Sequence, residues 1–181
     1  FLSHHLERMA PDLSFEILGT DVDKQSVSIA RNGVYHRNEI KAVPMQYLGD
    51  HWVRGSGDIA DYVKARNSLK EHCRFQTQNL LQISSKGSNQ KFDLIFCRNV
   101  FIYFKPEQIE LITHQFLKQL HPHGHLIVGI SESLNGMALP LVTHGPSIYT
   151  RRSDLSIAKP VKSKDVKVLK PEVRQPQETI R

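Results

Sequence analysis

The sequence predicts an α/β protein with a doubly wound, mostly parallel sheet, an antiparallel pair at one edge and a small antiparallel β insert. The first observation is a strand-like segment at 15–18 followed by a helical segment at 24–32, which is half of a β-α-β unit. The second is the nearly continuous apolar run at 92–97, a pattern typical of a strand buried in a parallel sheet. The third is the helix that opens at Pro106 and leads to another apolar strand at 126–129, because strands that alternate with helices indicate such a sheet.

The first elements have recognisable boundaries. Residues 2–9 form the end of an amphipathic helix, which Pro11 breaks. Asp23 can cap the helix at 24–32 because its carboxylate can accept hydrogen bonds from the free amides of the first turn. Gly33 suits the left-handed residue that commonly ends a helix.

The middle of the chain interrupts this alternation. Pro44 and the glycines at 49, 55 and 57 punctuate it, and β-leaning segments occur at 62–65 and 73–75. We interpret the region as a small antiparallel insert, or β-subdomain, over about residues 40–78.

The second half returns to helices and strands. Pro106 opens a helix whose positive end is favoured by Glu107, and apolar residues recur at helical spacing up to Leu120. His123–Gly124 is predicted to turn the chain into the strand at 126–129. A last strand near 147–150 is predicted to complete the antiparallel edge pair.

The composition fits one globular domain and excludes several other classes of protein. The chain has 181 residues, of which 39% are hydrophobic and 23% charged, so it can bury a core. Cys73 and Cys97 are too few for a disulfide framework or a four-cysteine zinc site, and they suit a reducing cytoplasm. No apolar run is long enough to span a bilayer. We therefore expect a cytoplasmic monomer without membrane insertion.

Half of the excess positive charge lies near the end of the chain. The net charge is +6, and residues 153–181 contain seven Lys or Arg against four Asp or Glu, with three prolines and no aromatic residue. This composition predicts a disordered basic tail or linker at 153–181 after a folded domain at 1–152. No nucleic-acid partner is expected, because the domain lacks a basic run interleaved with aromatic residues.

Candidate ligand-binding residues stand at the ends of the predicted strands, beyond which open α/β sheets bind their ligands. Asp21 ends the first strand and can accept hydrogen bonds from both ribose hydroxyls of a nucleoside. Alternatively it caps the next helix, although Asp23 is better placed for that. Asn79 follows the strand that ends the insert, where its amide can reach an adenine edge while Leu80 packs on the adenine face.

Arg98 and Asn99 end the apolar strand at 92–97. A charged Arg in that place needs a partner, which is either an anionic ligand or a structural carboxylate. The segment Ser131–Glu132–Ser133 follows a later strand and either lines a pocket or caps a loop. The histidines at 121, 123 and 125 alternate, but no third ligand type is near and the segment is interpreted as a tight turn, so no metal site is predicted.

Several of these segments together resemble one family. They are G-T-D-V-D at 19–23, R-N-G-V-Y at 31–35, Q-N-L-L at 78–81, F-D-L-I-F-C-R-N-V-F-I-Y-F at 92–104, L-H-P-H-G-H-L at 120–126 and S-E-S-L at 131–134. Over about residues 1–152 the chain resembles the C-terminal, S-adenosylmethionine-binding domain of the CheR chemotaxis receptor methyltransferases. The resemblance implies a Rossmann-like methyltransferase sheet that carries the β-subdomain insert.

The resemblance also implies a reaction and a site. The family transfers a methyl group from S-adenosylmethionine to glutamate side chains on the cytoplasmic helices of chemoreceptors, giving γ-glutamyl methyl esters. The residues that match the family's cofactor contacts are Asp21, Asn79, Leu80, Arg98 and Asn99. Arg98 and Tyr103 match residues that face the reacting groups, and the insert matches a subdomain that helps to dock the receptor.

The family's first sheet strand and its glycine-containing cofactor loop correspond to sequence before Phe1. We therefore expect the chain as given to be an incomplete enzyme with little or no methyltransferase activity. The alternative is a non-catalytic receptor-binding module derived from the same family.

Overall fold

The computed structural model describes residues 1–49, 51–83 and 90–152, and the predicted tail at 153–181 lies outside them. The α-helices are α1 (Leu2–Met9), α2 (Lys24–Asn32), α3 (Asn67–Lys70) and α4 (Pro106–Gln119). The strands are β1 (Ile17–Asp21), β2 (Val34–His36), β3 (Trp52–Arg54), β4 (Tyr62–Ala65), β5 (Cys73–Thr77), β6 (Phe92–Cys97), β7 (Leu120–Val128), β8 (Leu141–Gly145) and β9 (Ile148–Arg151). None of the helices in the described ranges is long and apolar enough to cross a membrane.

The first α/β unit forms largely as predicted. β1 and β5 pair in parallel, with Ile17 opposite Cys73 and Asp21 opposite Thr77, and α2 packs on this pair. Both predicted ends of α2 are confirmed, because Asp23 caps its first turn and Gly33 adopts a left-handed φ of 67° after its last. β1 starts two residues later than predicted, at Ile17, because its hydrogen-bonded pairing with β5 begins there.

The antiparallel insert is smaller than predicted and starts earlier. It consists of β2, β4 and β3 in that order, all antiparallel, between Val34 and Ala65. The prediction that residues 73–75 belong to it is wrong, because β5 pairs in parallel with β1. A short run of alternating residues has the same pattern in either kind of sheet, so only its distant partner decides which sheet it joins.

The second half contains a four-stranded sheet in the order β6-β7-β9-β8. β6 and β7 are parallel, and β9 and β8 add antiparallel, which confirms the predicted edge pair. The main hydrophobic core lies between this sheet and α4. Its fully buried apolar side chains are Ile112, Leu120, Leu126, Val128 and Tyr149.

The predicted turn at His123–Gly124 is wrong, since both residues lie inside β7. The pairing of β7 with β6 shifts register between Phe92 and Leu94, so the extra residues are accommodated within the strand. A Cβ on Gly124 would lie 2.9 Å from the Phe92 carbonyl oxygen. Gly124 therefore permits a close approach of two strands here, because it has no Cβ.

β6 is less covered than its apolar sequence predicted. Among the described residues it pairs only with β7, and Leu94 and Phe96 are 48% and 64% exposed. No strand of the described ranges joins β6 to β1. The two parallel pairs are instead connected by packing, because Leu80, Leu81 and Ile83 lie against the core of the four-stranded sheet.

Candidate functional site

The carboxyl ends of β1 and β5 bring two predicted site residues close together. Asp21 lies opposite Thr77, and the amide of Gln78 donates a hydrogen bond of 2.8 Å to the Asp21 carbonyl. Asn79 follows directly. The first parallel pair thus presents an acid and an amide at one end, as expected for adjacent parallel strands.

The Asp21 carboxylate does not cap α2. Its Oδ1 accepts a hydrogen bond of 2.8 Å from the amide of Asp23, which tightens the turn after β1. Asp23 is the helix cap: its carboxylate accepts hydrogen bonds from the amides of Gln25 and Ser26 and from the Ser26 hydroxyl. These hydrogen bonds lower the pKa of the Asp23 carboxyl, and the one from the Ser26 hydroxyl has the largest effect. The Asp21 side chain is exposed, and its second oxygen has no hydrogen bond within the described part of the chain.

Asn79 and Leu80 begin a short 3-10 turn at Leu80–Gln82. The Asn79 Oδ1 accepts a hydrogen bond of 2.9 Å from the Leu81 amide, so its side-chain NH₂ is the group left to donate to a ligand. Leu80 is half-buried and packs partly on the main core. This packing holds the turn in place beside β5.

Arg98 and Asn99 follow β6, and both side chains are exposed. Arg98 makes no ion pair with another residue of the described ranges, so a structural carboxylate partner is not seen there. Asn99 has a φ of 58°, the left-handed region that only a few residue types adopt readily. Tyr103 lies five residues further on from Arg98, in the 3-10 turn at Phe101–Tyr103, and is 80% exposed.

Glu132 organises the loop after β6, a role that sequence reasoning left open. Its Oε2 accepts from the amides of Asn99 at 2.7 Å and Gly129 at 2.8 Å. Its Oε1 accepts from Val100 at 2.7 Å and Ile102 at 3.4 Å. Of the two roles open for the segment at 131–133, the capping of a loop is therefore observed. The signal in the sequence is an acid three residues after a predicted apolar strand, which is too common to assign a role by itself.

Electrostatics around Glu132 favour its ionised form. Burial raises the pKa of the carboxyl, but the four donated amide hydrogen bonds outweigh burial and lower it. Neighbouring Cys97 shows the opposite, because burial first and the negative charge of Glu132 second raise the pKa of its thiol to about 12. Cys97 thus packs as a small apolar residue and is not a nucleophile at neutral pH.

A small cavity of about 150 Å³ adjoins this loop. It is lined by Phe101, Ile102, Ile109, Ser131, Glu132, Ser133 and Leu134, so the segment after β7 lines a pocket as well as capping the loop. Within the described ranges no group of three or more His, Cys, Asp or Glu could hold a metal ion.

These strand ends define a class of site. An exposed acid beside an amide, and an exposed arginine without an ion pair in the described ranges beside a left-handed asparagine, stand beyond the carboxyl ends of two parallel strand pairs. This is where α/β sheets bind nucleotide-like ligands. A family model described as "CheR methyltransferase, SAM binding domain" matches residues 1–144. The chain therefore belongs to the CheR methyltransferase family. Its fold is the Rossmann-like methyltransferase fold that the sequence predicted, and the cofactor of this domain is S-adenosylmethionine.

Two curated chemotaxis methyltransferases agree with this assignment. The chain is 32% identical over 146 residues to a chemotaxis protein methyltransferase of Salmonella typhimurium, covering 81% of this chain and 50% of that protein. It is 32% identical over 142 residues to that of Escherichia coli, covering 77% and 49%. The chain thus spans about half the length of these relatives. A solved structure of PKMT2 from Rickettsia typhi with AdoHcy aligns to 62% of this chain and 16% of that one at 18% identity, with a TM-score of 0.39.

Proposed function

We propose that this chain is the S-adenosylmethionine-binding part of an enzyme that methylates glutamate side chains of chemoreceptors. The observation that carries the proposal is the placement of Asp21 and Asn79 at the same end of the parallel pair β1 and β5, within a domain of the S-adenosylmethionine-binding family. The names of the similar proteins support a role in chemotaxis.

The side chains present fit an adenosyl cofactor. The free oxygen of Asp21 can accept from ribose hydroxyls, and the free NH₂ of Asn79 can donate to an adenine ring nitrogen. Asn99 offers an exposed amide at the end of β6. Exposed Arg98, without an ion-pair partner in the described ranges, can bind either the cofactor's carboxylate or the substrate's.

The reaction needs little proton transfer. When bound, S-adenosylmethionine supplies a methyl group on a positively charged sulfur. A glutamate side chain has a reference pKa of about 4.3, so at neutral pH it is already a carboxylate that can attack that methyl group. The protein's task is to hold the two groups in line at about 3–3.5 Å and to exclude water. This agrees with a site in which we find no paired nucleophile and base among the described residues.

Arg98 and Tyr103 are the proposed catalytic residues. Arg98 would orient a carboxylate through its planar guanidinium. Tyr103, exposed on the turn that follows, would contact the incoming glutamate. Both are anchored by one loop, because the Val100 and Ile102 amides donate to Glu132.

The insert is the proposed docking surface for the receptor. Beside the outer strand β3 lies an open groove of about 450 Å³ lined by Val53, Lys64, Ala65, Arg66, Asn67 and Ser68. Lys64 and Arg66 are exposed and would attract an acidic receptor helix. The same groove favours the second candidate function, a non-catalytic module that binds receptors through the insert.

The test is calorimetric titration of S-adenosylhomocysteine into the chain. Asp21→Asn keeps an oxygen for the Asp23 amide, and Asn79→Asp keeps one for the Leu81 amide, so each changes only the atom proposed to touch the cofactor. We expect each to weaken binding roughly tenfold or more. Asp58→Asn, an exposed acid of the insert, should not change it.

Equal affinity in all four proteins would refute the assigned site. Binding of a receptor helix by a chain that does not bind S-adenosylhomocysteine would instead favour the docking module.

A further inference from the structure

Among the described residues, Glu132 is the one charged residue that is buried, with 5% of its surface exposed. Its carboxylate joins two strand ends, since Oε2 accepts from Gly129, directly after β7, and from Asn99, after β6. A buried charge is costly unless it is well paired, and here all the observed partners are backbone amides. The carboxylate therefore holds main chain and forms no ion pair with a cation of the described ranges.

The residue it holds is unusual. Asn99 is the one non-glycine residue of the described ranges with a positive φ, at 58°. Such a conformation costs free energy and persists when surrounding contacts impose it. Glu132 accepts from the amides of both Asn99 and Val100, at 2.7 Å each, and so fixes the peptide groups on either side of that Asn.

Glu132 is itself held from behind. Its amide donates to the Gly129 carbonyl at 3.0 Å, closing a tight turn. Two residues on, the Leu134 amide donates to the hydroxyl of Tyr149, a side chain that is 1% exposed. The Ser147 hydroxyl donates to the Gly129 carbonyl at 3.3 Å. The segment after β7 is thus tied to β9 and to the turn before it, and it forms a rigid support for the loop after β6.

We propose that Glu132 is a positioning residue: its carboxylate fixes the loop at 98–102 so that Asn99 faces the ligand beyond β6. The proposal rests on the proposed function of that strand end as a cofactor site. Glutamine cannot replace Glu132, because it offers one acceptor oxygen, while its NH₂ group would face amide donors. Glu132 contacts no reacting atom and acts through Asn99.

A double-mutant cycle on the chain tests this action through Asn99. The proteins are the wild type, Glu132→Gln, Asn99→Gly and the double variant, and the readout is S-adenosylhomocysteine affinity. Glycine retains the left-handed φ while removing the side chain. Glu132→Gln should weaken binding roughly tenfold or more in the wild-type background and less than about threefold in the Asn99→Gly background. The matched control is Glu110→Gln, a half-exposed acid on α4 that should leave affinity unchanged.

An equal loss in both backgrounds would overturn the proposal, because a purely structural role does not depend on the Asn99 side chain. No loss from Glu132→Gln would overturn it as well.

A measurement on the unaltered chain covers the case in which Glu132→Gln does not fold. The amide protons of Asn99 and Gly129, which share Oε2, should shift together on acidification with a single midpoint in NMR spectra. Cys97, the other titratable group that interacts with this carboxylate, stays neutral throughout. Independent shifts, or none, would refute the proposal. If the wild type binds no S-adenosylhomocysteine, the proposed function and the positioning role fail together, and this titration then tests only whether the Glu132 carboxylate holds the amides of Asn99 and Gly129.

Discussion

Replacing Gly129 by alanine should release the loop after β6. A Cβ built on Gly129 would lie 2.3 Å from the Glu132 Oε2 and 3.0 Å from its Cδ. A flexible side chain would normally move aside at little cost. Glu132 cannot, because four backbone amides hold its carboxylate from both sides.

The magnitude follows from the hydrogen bonds that must break. Displacing Oε2 removes its bonds from Asn99 and Gly129, at 2.7 and 2.8 Å. Hydrogen bonds to a charged group contribute about 1.5–3 kcal/mol each, and the two are not additive, so we expect the free energy of unfolding to fall by roughly 2–4 kcal/mol. For a domain of this size that lowers the melting temperature by about 5–15 °C.

Urea denaturation and scanning calorimetry measure this effect directly. The matched control is Gly145→Ala, since a Cβ at Gly145 has no neighbour within 4 Å and its backbone is not left-handed. A free energy of unfolding within about 0.5 kcal/mol of wild type for Gly129→Ala would refute the idea that the carboxylate is immobile.

Three further predictions concern acid stability, the thiol and the core. The pKa of Glu132 is lowered in the folded state, so the stabilisation from its carboxylate is present above the ordinary glutamate pKa of about 4.3 and is lost as the pH falls below it. The difference in unfolding free energy between wild type and Glu132→Gln should therefore shrink as the pH falls. A constant difference would contradict this role of the carboxylate. Cys97 should resist a thiol reagent in native protein at pH 8 and react on unfolding, whereas rapid labelling of Cys97 in the native protein would contradict its burial. Ile112→Ala should lower the free energy of unfolding, measured by urea denaturation, by about 2–5 kcal/mol. Leu111→Ala truncates a half-exposed neighbour and should lower it much less. Equal losses would show that the core lies elsewhere.

The sequence predicted local structure best where chemical signals are local. Asp23 and Gly33 mark the two ends of α2, and Pro106 marks the start of α4, because caps and first-turn prolines act through neighbouring backbone groups. The parallel pairing of β6 with β7 also followed from the sequence, since both strands are apolar and separated by a helix.

Long-range pairing was the part that local patterns could not decide. The sequence pattern places residues 73–75 in the insert, although β5 pairs in parallel with β1. The sequence also predicts a turn at Gly124, although this glycine lets two strands approach closely within β7. In both cases the outcome depends on a partner far away in sequence.

The candidate site divides in the same way. The sequence predicts Asp21, Asn79 and Arg98 as site residues because the alternation of strands and helices shows that they stand at strand ends. The sequence alone does not predict the role of Glu132, because three of its four amide partners lie about thirty residues away and only the fold brings them together.

The central claim is that the carboxyl ends of the parallel strands form the S-adenosylmethionine site. The most direct measurement is an NMR titration of the isotope-labelled chain with S-adenosylhomocysteine, following each assigned backbone amide. We predict saturable shifts at 21–23, 78–81 and 98–100, with little change at Val63 in the insert. Shifts confined to the insert, or no saturable shift in a folded chain, would contradict the claim.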